Sequence, residues 1–281
     1  MSNSKMKIAF FGTPYVAAVT FEALYKARYI PTVVITNPDS KQGRGQTLQP
    51  CTTKMWAQEH KISVLSPEKI DAETIEEIKA YNCDYAIVVA YGKMLPQTLI
   101  DSFPKGMLNV HYSLLPKYRG ASPVESALLH GETETGVTIQ KLVLAMDAGD
   151  ILVQENIAIE NEETAPLLKE RLIAIGSQML IELLPKFEAG AVTPIPQKHE
   201  QATFAKKIKK EEREIDLQAD AQKNWNKYRA YAEAPSTYFY IVKNGIKVRV
   251  KIVTAQLVNG IFMPLRIIPE GKNVMDFTQF I

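Results

Sequence analysis

An asparagine and a histidine two positions apart are the residues in this sequence whose types and spacing best suit catalysis. Asn109 and His111 end the short apolar run 107–111, which the pattern predicts to be a strand, so its period of two places both side chains on one face. Because an amide N–H stabilises a developing oxyanion and a histidine moves a proton near neutral pH, the pair suits acyl transfer. A structural histidine beside a strand-end asparagine is the open alternative.

A carboxylate on a predicted turn is the second candidate. Asp147 lies in the segment Met-Asp-Ala-Gly-Asp at 146–150, between two predicted strands. Its carboxylate can hydrogen-bond His111 and fix the tautomer of the ring, or hold a water for proton transfer. The open alternative is a turn whose residues serve only the backbone conformation. Spacing along the chain does not by itself bring Asp147 to His111.

Several common cofactor and catalytic motifs are missing from the sequence. The first strand-to-helix turn, 11–14, has one glycine instead of the GxGxxG of dinucleotide-binding proteins, and the second strand ends without an acidic residue. No P-loop, HExxH or GxSxG motif occurs either. Cys51 and Cys83 form no CxxC pair, so we expect neither a disulfide framework nor a metal site.

Short apolar strands alternate with helical patterns through most of the chain. The predicted strands are 7–12, 30–36, 62–65, 85–90 and 107–111. The predicted helices are 14–28, 54–60, 73–81 and 96–101, followed by a hairpin, 137–143 with 150–158, and a long helix, 164–188. This alternation predicts an α/β fold over 1–189, a doubly wound, Rossmann-like and mostly parallel sheet. Ligands of such sheets bind at the carboxyl ends of the strands, where Asn109 and His111 lie.

A small β-rich domain is predicted after a linker at 190–205. Strand-like runs with Asn-Gly hairpin signals between them fill much of 206–281. This segment also differs in charge, because residues 1–200 hold 19 Lys/Arg and 23 Asp/Glu, net −4, whereas 201–281 hold 14 and 8, net +6. A basic domain suits a polyanionic partner, with an ordinary solvated surface as the open alternative.

The overall composition is that of a soluble globular protein. The 281 residues are 46% hydrophobic and 23% charged, far from the profile of disordered chains. We find no signal-peptide pattern and no apolar run long enough to span a bilayer. These features favour a cytoplasmic protein.

The longest motif resembles that of a known enzyme family. The run Asn-x-His-x-Ser-Leu-Leu-Pro-x-Tyr-Arg-Gly-Ala at 109–121, followed by Asp-x-Gly-Asp at 147–150, resembles the signature of the folate-dependent formyltransferases, which use 10-formyltetrahydrofolate to formylate an amine. Within them the chain is similar, nearly end to end, to the methionyl-tRNA formyltransferases. The supporting segments are FFGTP at 10–14, GRGQ at 43–46, VAYGKMLP at 89–96, ATFAKKI at 202–208, KEE at 210–212 with Ile-Asp at 215–216, and PEGK at 269–272.

The resemblance implies a catalytic trio of Asn109, His111 and Asp147. Asn109 and protonated His111 would stabilise the tetrahedral oxyanion formed when the methionyl amine attacks the formyl carbon. Asp147 would support His111 and proton transfer to N10 of the folate, with neither a covalent enzyme intermediate nor a metal. The residues implied to contact the donor are Ser113, Leu114, Leu115 and Pro116, with the backbone around Tyr91, Gly92 and Leu95.

The resemblance also implies charged initiator tRNA as the acceptor. Arg44, in the loop 37–50, matches the position from which the family's loop reaches the acceptor stem, and an arginine between glycines suits phosphate contact. A basic cluster next to Phe204 is expected to contact the tRNA backbone, with a solvated linker as the alternative. Its lysines are Lys206, Lys207, Lys209 and Lys210. We expect a monomer with no membrane partner.

Two departures from the family pattern carry expectations of their own. Tyr112 replaces a residue that is often small in the family, and we expect it to narrow or reshape the mouth of the pocket. The C-terminal domain resembles a trimmed OB-like barrel that lacks strands between Gln256 and Leu265.

Three other functions remain open at this point. A sugar-nucleotide N-formyltransferase would use the same folate donor and the same trio. A catalytically dead module that binds tRNA or folate would keep the fold without the chemistry. Hydrolysis of formylfolate would replace the acceptor amine with water.

Overall fold

A computed structural model describes residues 6–42, 45–233, 235–243 and 245–280, and the chain divides into two compact units. The first unit combines Met1–Arg119, Gly136–Glu155 and Leu172–Thr203. The second combines Gly120–Thr135, Asn156–Arg171 and Phe204–Ile281. Each unit is thus assembled from three separate stretches of chain, and the continuous boundaries 1–189, 190–205 and 206–281 stay a prediction.

Fifteen strands and eight α-helices are present in the described residues. The strands are β1 Ile8–Gly12, β2 Val33–Ile35, β3 Ser40–Gln42, β4 Thr47–Gln49, β5 Ser63–Leu65, β6 Tyr85–Val89, β7 Met107–His111, β8 Arg119–Gly120, β9 Glu134–Lys141, β10 Ile151–Ala158, β11 Phe204–Ala205, β12 Tyr238–Lys243, β13 Ile246–Val258, β14 Ile261–Pro269 and β15 Met275–Asp276. The helices are α1 Tyr15–Lys26, α2 Thr52–Glu59, α3 Ala72–Lys79, α4 Gln97–Ile100, α5 Pro123–Leu129, α6 Ala165–Glu188, α7 Ala221–Ala230 and α8 Phe277–Phe280.

The first unit is built on a seven-stranded sheet. Its order is β10-β9-β7-β6-β1-β2-β5, with β7, β6, β1, β2 and β5 parallel and β9 antiparallel to β7. The chain moves outward from β1 to β5 and then returns to β6 on the other side of β1, so the strand order reverses between β1 and β6. Ligands of open α/β sheets bind outside the carboxyl ends of the strands at such a point.

Helices cover both faces of this sheet because successive apolar side chains of the buried strands point to opposite faces and both faces must be shielded from water. On one face Phe10 of β1 stacks on Phe21 of α1, with ring centroids 4.4 Å apart. On the other face Phe11 packs in a core that includes Ile75 and Ile78 of α3 and residues of α4. The predicted doubly wound, Rossmann-like and mostly parallel sheet is therefore confirmed, as is the hairpin that extends it.

Some elements differ from the predicted ones. The second strand comprises three residues, Val33–Ile35, rather than 30–36. The pattern also missed β3 and β4, which pair as a hairpin inside the loop 37–50, because their short polar sequences lack an apolar alternation. No helix within the described ranges is both long and apolar enough to cross a membrane.

The second unit contains a four-stranded antiparallel sheet in the order β12-β13-β14-β15. One face of the sheet packs on α7 and α8 through a core of Ile215, Trp225, Tyr228, Phe239, Val250, Ile252, Ile267 and Phe280. Asn259 and Gly260, both with positive φ, close a tight hairpin from β13 directly to β14. The predicted small β-rich C-terminal domain is confirmed.

Candidate active site

Three polar side chains meet beside the carboxyl end of β7. Asn109 and His111 lie on one face of the strand, and Asp147 comes from the turn that follows β9. Nδ2 of Asn109 donates to Oδ1 of Asp147 at 3.3 Å, and Nδ1 of His111 lies 3.6 Å from the same oxygen. The side chains of His111 and Asp147 are only 7% and 15% exposed. The structure thus brings Asp147 to Asn109 and His111, which spacing along the chain could not do.

The tautomer of His111 follows from its other ring nitrogen. Nε2 lies 2.8 Å from the backbone oxygen of Tyr118, and because a carbonyl only accepts, Nε2 must carry a hydrogen and donate it. In the neutral ring Nδ1 is then the unprotonated nitrogen, and it faces Asp147. When Nδ1 takes up a proton, the imidazolium and the carboxylate form an ion pair. His111 can therefore hold or release a proton at one defined atom.

The turn that carries Asp147 needs a particular backbone. Asp147 has φ +48, a left-handed conformation that aspartate tolerates better than most residues. Two residues later, a Cβ built on Gly149 would lie 1.7 Å from the backbone oxygen of Lys141. Only glycine fits so close to another backbone segment. The Asp-Ala-Gly sequence is therefore used for conformation as well as for its carboxyl group, so the two readings of this motif are compatible.

Two glutamines beside Asp147 were not identified as site residues from the sequence. Gln140 is paired opposite Asn109 in the β7–β9 ladder, and its Nε2 donates to Oδ1 of Asp147 at 3.0 Å. Its signal was the alternation of Thr138 and Gln140 with apolar residues along β9. Gln197 donates to the backbone oxygen of Asp147 at 2.9 Å. No local pattern could have found Gln197, because it reaches the turn from a segment 50 residues later.

The loop after β7 contains the four residues implied to contact a folate. Ser113 and Leu115 are buried, and Oγ of Ser113 donates to the backbone oxygen of Lys117 at 2.6 Å. Leu114 and Pro116 are half-buried. The side chains of Ser113 and Leu115 thus maintain the shape of the loop, while Leu114 and Pro116 keep accessible surface.

The loop after β6 is arranged in a similar way. Tyr91 and Leu95 are buried in the core, whereas Gly92 is exposed with φ +81. The backbone oxygen of Tyr91 accepts hydrogen bonds from Nδ2 of Asn37 at 3.0 Å and Oγ1 of Thr13 at 3.3 Å. Burial raises the pKa of the Tyr91 phenol to about 12. Within this segment the side chains of Tyr91 and Leu95 are buried, whereas that of Met94 is 77% exposed. The backbone contact with the donor stays a prediction.

The expectation for Tyr112 is wrong. Tyr112 follows His111 on the strand, so its side chain points to the opposite face. There its ring approaches Gly176 of α6, where a Cβ would lie 3.5 Å from Cε1 of Tyr112. The hydroxyl is buried, and burial raises the pKa of this phenol. Tyr112 is half-buried on the α6 side of the sheet and does not reshape the side of β7 that carries His111.

The lysines implied to contact tRNA lie on the surface of the second unit. Arg44 lies outside the described residues. Lys206, Lys207 and Lys209 are exposed, as is the neighbouring ring of Phe204 at 64%. Their exposure is compatible both with phosphate contact and with a solvated surface.

A second basic surface lies on the face of the C-terminal sheet that is turned away from its core. Arg249 lies over the ring of Tyr238, 3.9 Å from its centroid, and Lys247 lies over Tyr240 at 4.1 Å. Lys251 continues the row opposite Tyr238. We call these five residues the basic-aromatic face. The Lys-x-Arg-x-Lys and Tyr-x-Tyr spacings were its sequence signal, since period two places them together. Basic groups interleaved with aromatic rings suit a nucleic acid.

Metal ligation finds no support in the part of the chain that the structure describes. No group of three or more His, Cys, Asp or Glu side chains there is arranged to hold an ion. The trio offers an amide nitrogen and a ring nitrogen that lie 3.3 and 3.6 Å from the same carboxylate oxygen. This set can stabilise charge on an oxygen and move a proton, as acyl transfer to an amine requires.

Comparison with known proteins matches both the N-terminal and the C-terminal part of the chain to formyl transferases. A family described as formyl transferase matches residues 6–184, and a formyl transferase C-terminal domain matches 207–264. The methionyl-tRNA formyltransferase of Sulfurihydrogenibium sp. is 39% identical over 90% of this chain and 82% of its own length. That of Thermodesulfovibrio yellowstonii is 36% identical over 98% of this chain and 94% of its own.

Solved structures share the fold at lower identity. The N-formyltransferase from Helicobacter canadensis, solved with folinic acid and dTDP-3-aminofucose, aligns with a TM-score of 0.68 at 20% identity, covering 90% of this chain and 88% of that one. Phosphoribosylglycinamide formyltransferase from Bacillus halodurans aligns with a TM-score of 0.57 at 23% identity, covering 66% and 96%. At these identities the likeness establishes the fold and leaves the acceptor open.

Proposed function

Because the chain belongs to the methionyl-tRNA formyltransferase family, we propose that it transfers the formyl group of 10-formyltetrahydrofolate to the amino group of methionyl-tRNA. The acceptor is the charged initiator tRNA, and the product serves the initiation of protein synthesis. The observation that carries this proposal is the meeting of Asn109, His111 and Asp147 on one oxygen atom, Oδ1 of Asp147. The chemistry requires this donor set, and the motif alone does not supply its geometry.

The site suits a folate donor by its chemistry. When bound, the donor supplies a formyl group on nitrogen, whose oxygen gains negative charge as an amine attacks. Asn109 Nδ2 has a second N–H for that charge, and protonated His111 can share its Nδ1–H between Asp147 and the formyl oxygen. The residues that would hold the donor are the accessible Leu114 and Pro116, with Ser113 and Leu115 supporting them, and the backbone of Tyr91, Gly92 and Leu95.

Each member of the trio has a separate task in this proposal. Asn109 donates a hydrogen bond and does not titrate. His111 keeps one proton on Nε2 for Tyr118 and gains or loses the other at Nδ1. Asp147 attracts that second proton and orients the ring. The three groups need only small movements between these states, so little reorganisation accompanies the proton transfer.

Binding of tRNA is assigned to exposed cations. Lys206, Lys207 and Lys209 can neutralise phosphates without reading sequence, and Arg44 matches the family's loop position. The basic-aromatic face adds Lys247, Arg249 and Lys251 beside the exposed ring of Tyr240, on which a base can stack. Distributed contacts of this kind suit a large polyanion better than a small sugar nucleotide.

The remaining expectations concern the state of the protein in the cell. We propose a monomer in the cytoplasm, where Cys51 and Cys83 stay reduced. Light scattering of the purified protein tests the monomer directly, because a dimer would double the measured mass.

The proposed reaction is tested by transfer of a labelled formyl group from 10-formyltetrahydrofolate. Charged initiator methionyl-tRNA and an amino-sugar nucleotide are supplied in parallel, and wild type is compared with Asn109→Ala and His111→Ala. We expect label on the tRNA with wild type and its loss by about two orders of magnitude or more in either variant.

Other outcomes would replace the proposal. Label on the sugar alone would make the protein a sugar-nucleotide formyltransferase. Release of labelled formate without an acceptor would indicate hydrolysis. Binding of tRNA without any transfer would indicate a module that has lost catalysis.

A further inference from the structure

A chain of amide hydrogen bonds connects a buried arginine to Asp147. Nε and Nη2 of Arg119 donate to Oε1 of Gln197 at 3.2 and 2.6 Å. Nε2 of Gln197 donates to the backbone oxygens of Asp147 and Gly149 at 2.9 and 2.6 Å, and lies 3.2 Å from Oε1 of Gln140. Nε2 of Gln140 in turn donates to Oδ1 of Asp147 at 3.0 Å. Arg119, Gln140 and Gln197 are all buried.

The direction of this chain is set by the arginine. A guanidinium has donors only, so Gln197 must turn its oxygen toward Arg119 and its amide nitrogen toward the carbonyl oxygens. Oε1 of Gln140 then faces that nitrogen, and its own amide nitrogen faces Asp147. Each amide therefore has a single orientation. The positive charge of Arg119 also polarises the amide of Gln197, which strengthens the donors that hold the turn.

The turn needs to be held because its geometry at Asp147 is demanding. Asp147 keeps a left-handed φ of +48, and its Oδ1 lies 3.6 Å from Nδ1 of His111. A small shift of the turn would lengthen this separation beyond useful contact. Gln197 donates to backbone on both sides of Ala148, at Asp147 and at Gly149, so it ties down the whole turn rather than one atom.

We propose that Gln197, oriented by Arg119, is a positioning residue that holds Asp147 against His111 during formyl transfer. The inference rests on the function proposed above, because its kinetic test measures formyl transfer. Gln197 itself contacts no substrate in this proposal and acts only through Asp147.

Two substitutions separate the acceptor and donor halves of the amide. Gln197→Leu removes both, and Gln197→Glu keeps an oxygen for Arg119 but replaces the donor nitrogen with a second oxygen facing carbonyl oxygens. We expect kcat to fall about tenfold or more in both variants, with KM for both substrates changed by less than about twofold. The control is Ile78→Val, which loosens the buried core around α3 outside the hydrogen-bond chain and should keep kcat.

A double-mutant cycle distinguishes positioning from general support of the fold. If Gln197 acts through Asp147, then Gln197→Leu lowers kcat by less than about twofold in an Asp147→Asn background. A purely structural role would repeat the full loss in that background and would overturn the inference. An unchanged kcat in Gln197→Leu would overturn it as well.

Amide hydrogen exchange provides a readout that needs no activity. The N–H of Ala148 is bonded to the backbone oxygen of Ala145 within the turn, and we expect its exchange to accelerate about tenfold or more in Gln197→Leu but not in Ile78→Val. Unchanged exchange would contradict the inference even if Asp147→Asn is inactive. A wild-type protein without formyl transfer to methionyl-tRNA would instead contradict the proposed function, and the exchange result would still decide the role of Gln197.

Discussion

The candidate active site and the basic-aromatic face use polar groups in opposite ways. At the active site, Asp147 Oδ1 is approached by an asparagine, a glutamine and a histidine, all largely shielded from water. On the basic-aromatic face, Lys247 and Arg249 lie over tyrosine rings, and Lys247, Tyr240 and Lys251 are exposed. The first arrangement fixes distances, and the second presents charge.

This difference reflects what each task requires. Proton transfer and stabilisation of an oxyanion depend on atoms held within a few tenths of an ångström, so the groups are buried and cross-bonded. Attraction of a nucleic acid depends on long-range charge, which tolerates movement but is screened by salt. Substitutions at the active site should therefore change kcat without changing the salt dependence. Those on the basic-aromatic face should do the reverse.

The largest effect is expected for His111→Ala. Removing the imidazole deletes both the proton at Nδ1 and a donor for the formyl oxygen, so kcat should fall about 10³-fold. Rates measured between low and moderate salt should show the same relative loss. His130→Ala, in the second unit, is the control and should keep wild-type kcat. A loss in His111→Ala that disappears at low salt would break the contrast between the two regions.

Gly149→Ala should have the next largest effect. The added Cβ would meet the backbone oxygen of Lys141 at 1.7 Å, so the turn must move and carry Asp147 with it. We expect kcat to fall about 10²-fold and the free energy of unfolding to drop by more than about 2 kcal/mol. Gly190→Ala places its Cβ in open space at a positive φ of +70, so this control should lose about 1 kcal/mol and no activity. Thermal unfolding with parallel kinetics checks both values.

Arg249→Ala should have a moderate effect on binding alone. Loss of one phosphate contact should raise KM for methionyl-tRNA about threefold to tenfold and lower the slope of log K against log salt by about one. The value of kcat should stay within about twofold of wild type, and Arg249→Lys should recover most of the salt slope. Lys69→Ala, an exposed lysine of the first unit, is the control. An unchanged salt slope in Arg249→Ala would remove the basic-aromatic face from the tRNA-binding surface.

Tyr91→Phe should have the smallest effect. It tests whether the backbone of Tyr91, rather than its side chain, contacts the donor. The phenol oxygen is buried without a hydrogen-bond partner among the described residues, so its removal should leave kcat, KM and stability at pH 7 almost unchanged. Its pKa is raised from 10.0 to about 12, so the wild-type protein loses stability as the pH rises from 10 toward 12, where the unfolded chain gives up the proton more readily. Tyr91→Phe should therefore unfold less readily than wild type in that window. A large loss of kcat would mean that the side chain, not the backbone, contacts the donor.

The sequence predicted the active-site strand well, because its signal is local. The predicted run 107–111 is the observed strand, and its alternation places Asn109 and His111 together. The same alternation places Tyr112 on the other face, so the error at Tyr112 came from comparing residue sizes at that position and overlooking the pleat. The hairpin of β3 and β4 was missed because its polar residues carry no periodic signal.

The sequence by itself determined most of the apolar strands and helices, the sheet class and the face on which Asn109 and His111 lie, since apolar period and turn residues act over a few positions. Only the tertiary structure decided that Asp147 reaches His111, that Tyr118 fixes the ring tautomer, and that Gln197 ties the turn in place. These contacts join segments that the sheet order and the close backbone approach at Gly149 bring together. Hydrogen bonds are short and directional, so no local pattern encodes which distant partner will complete them.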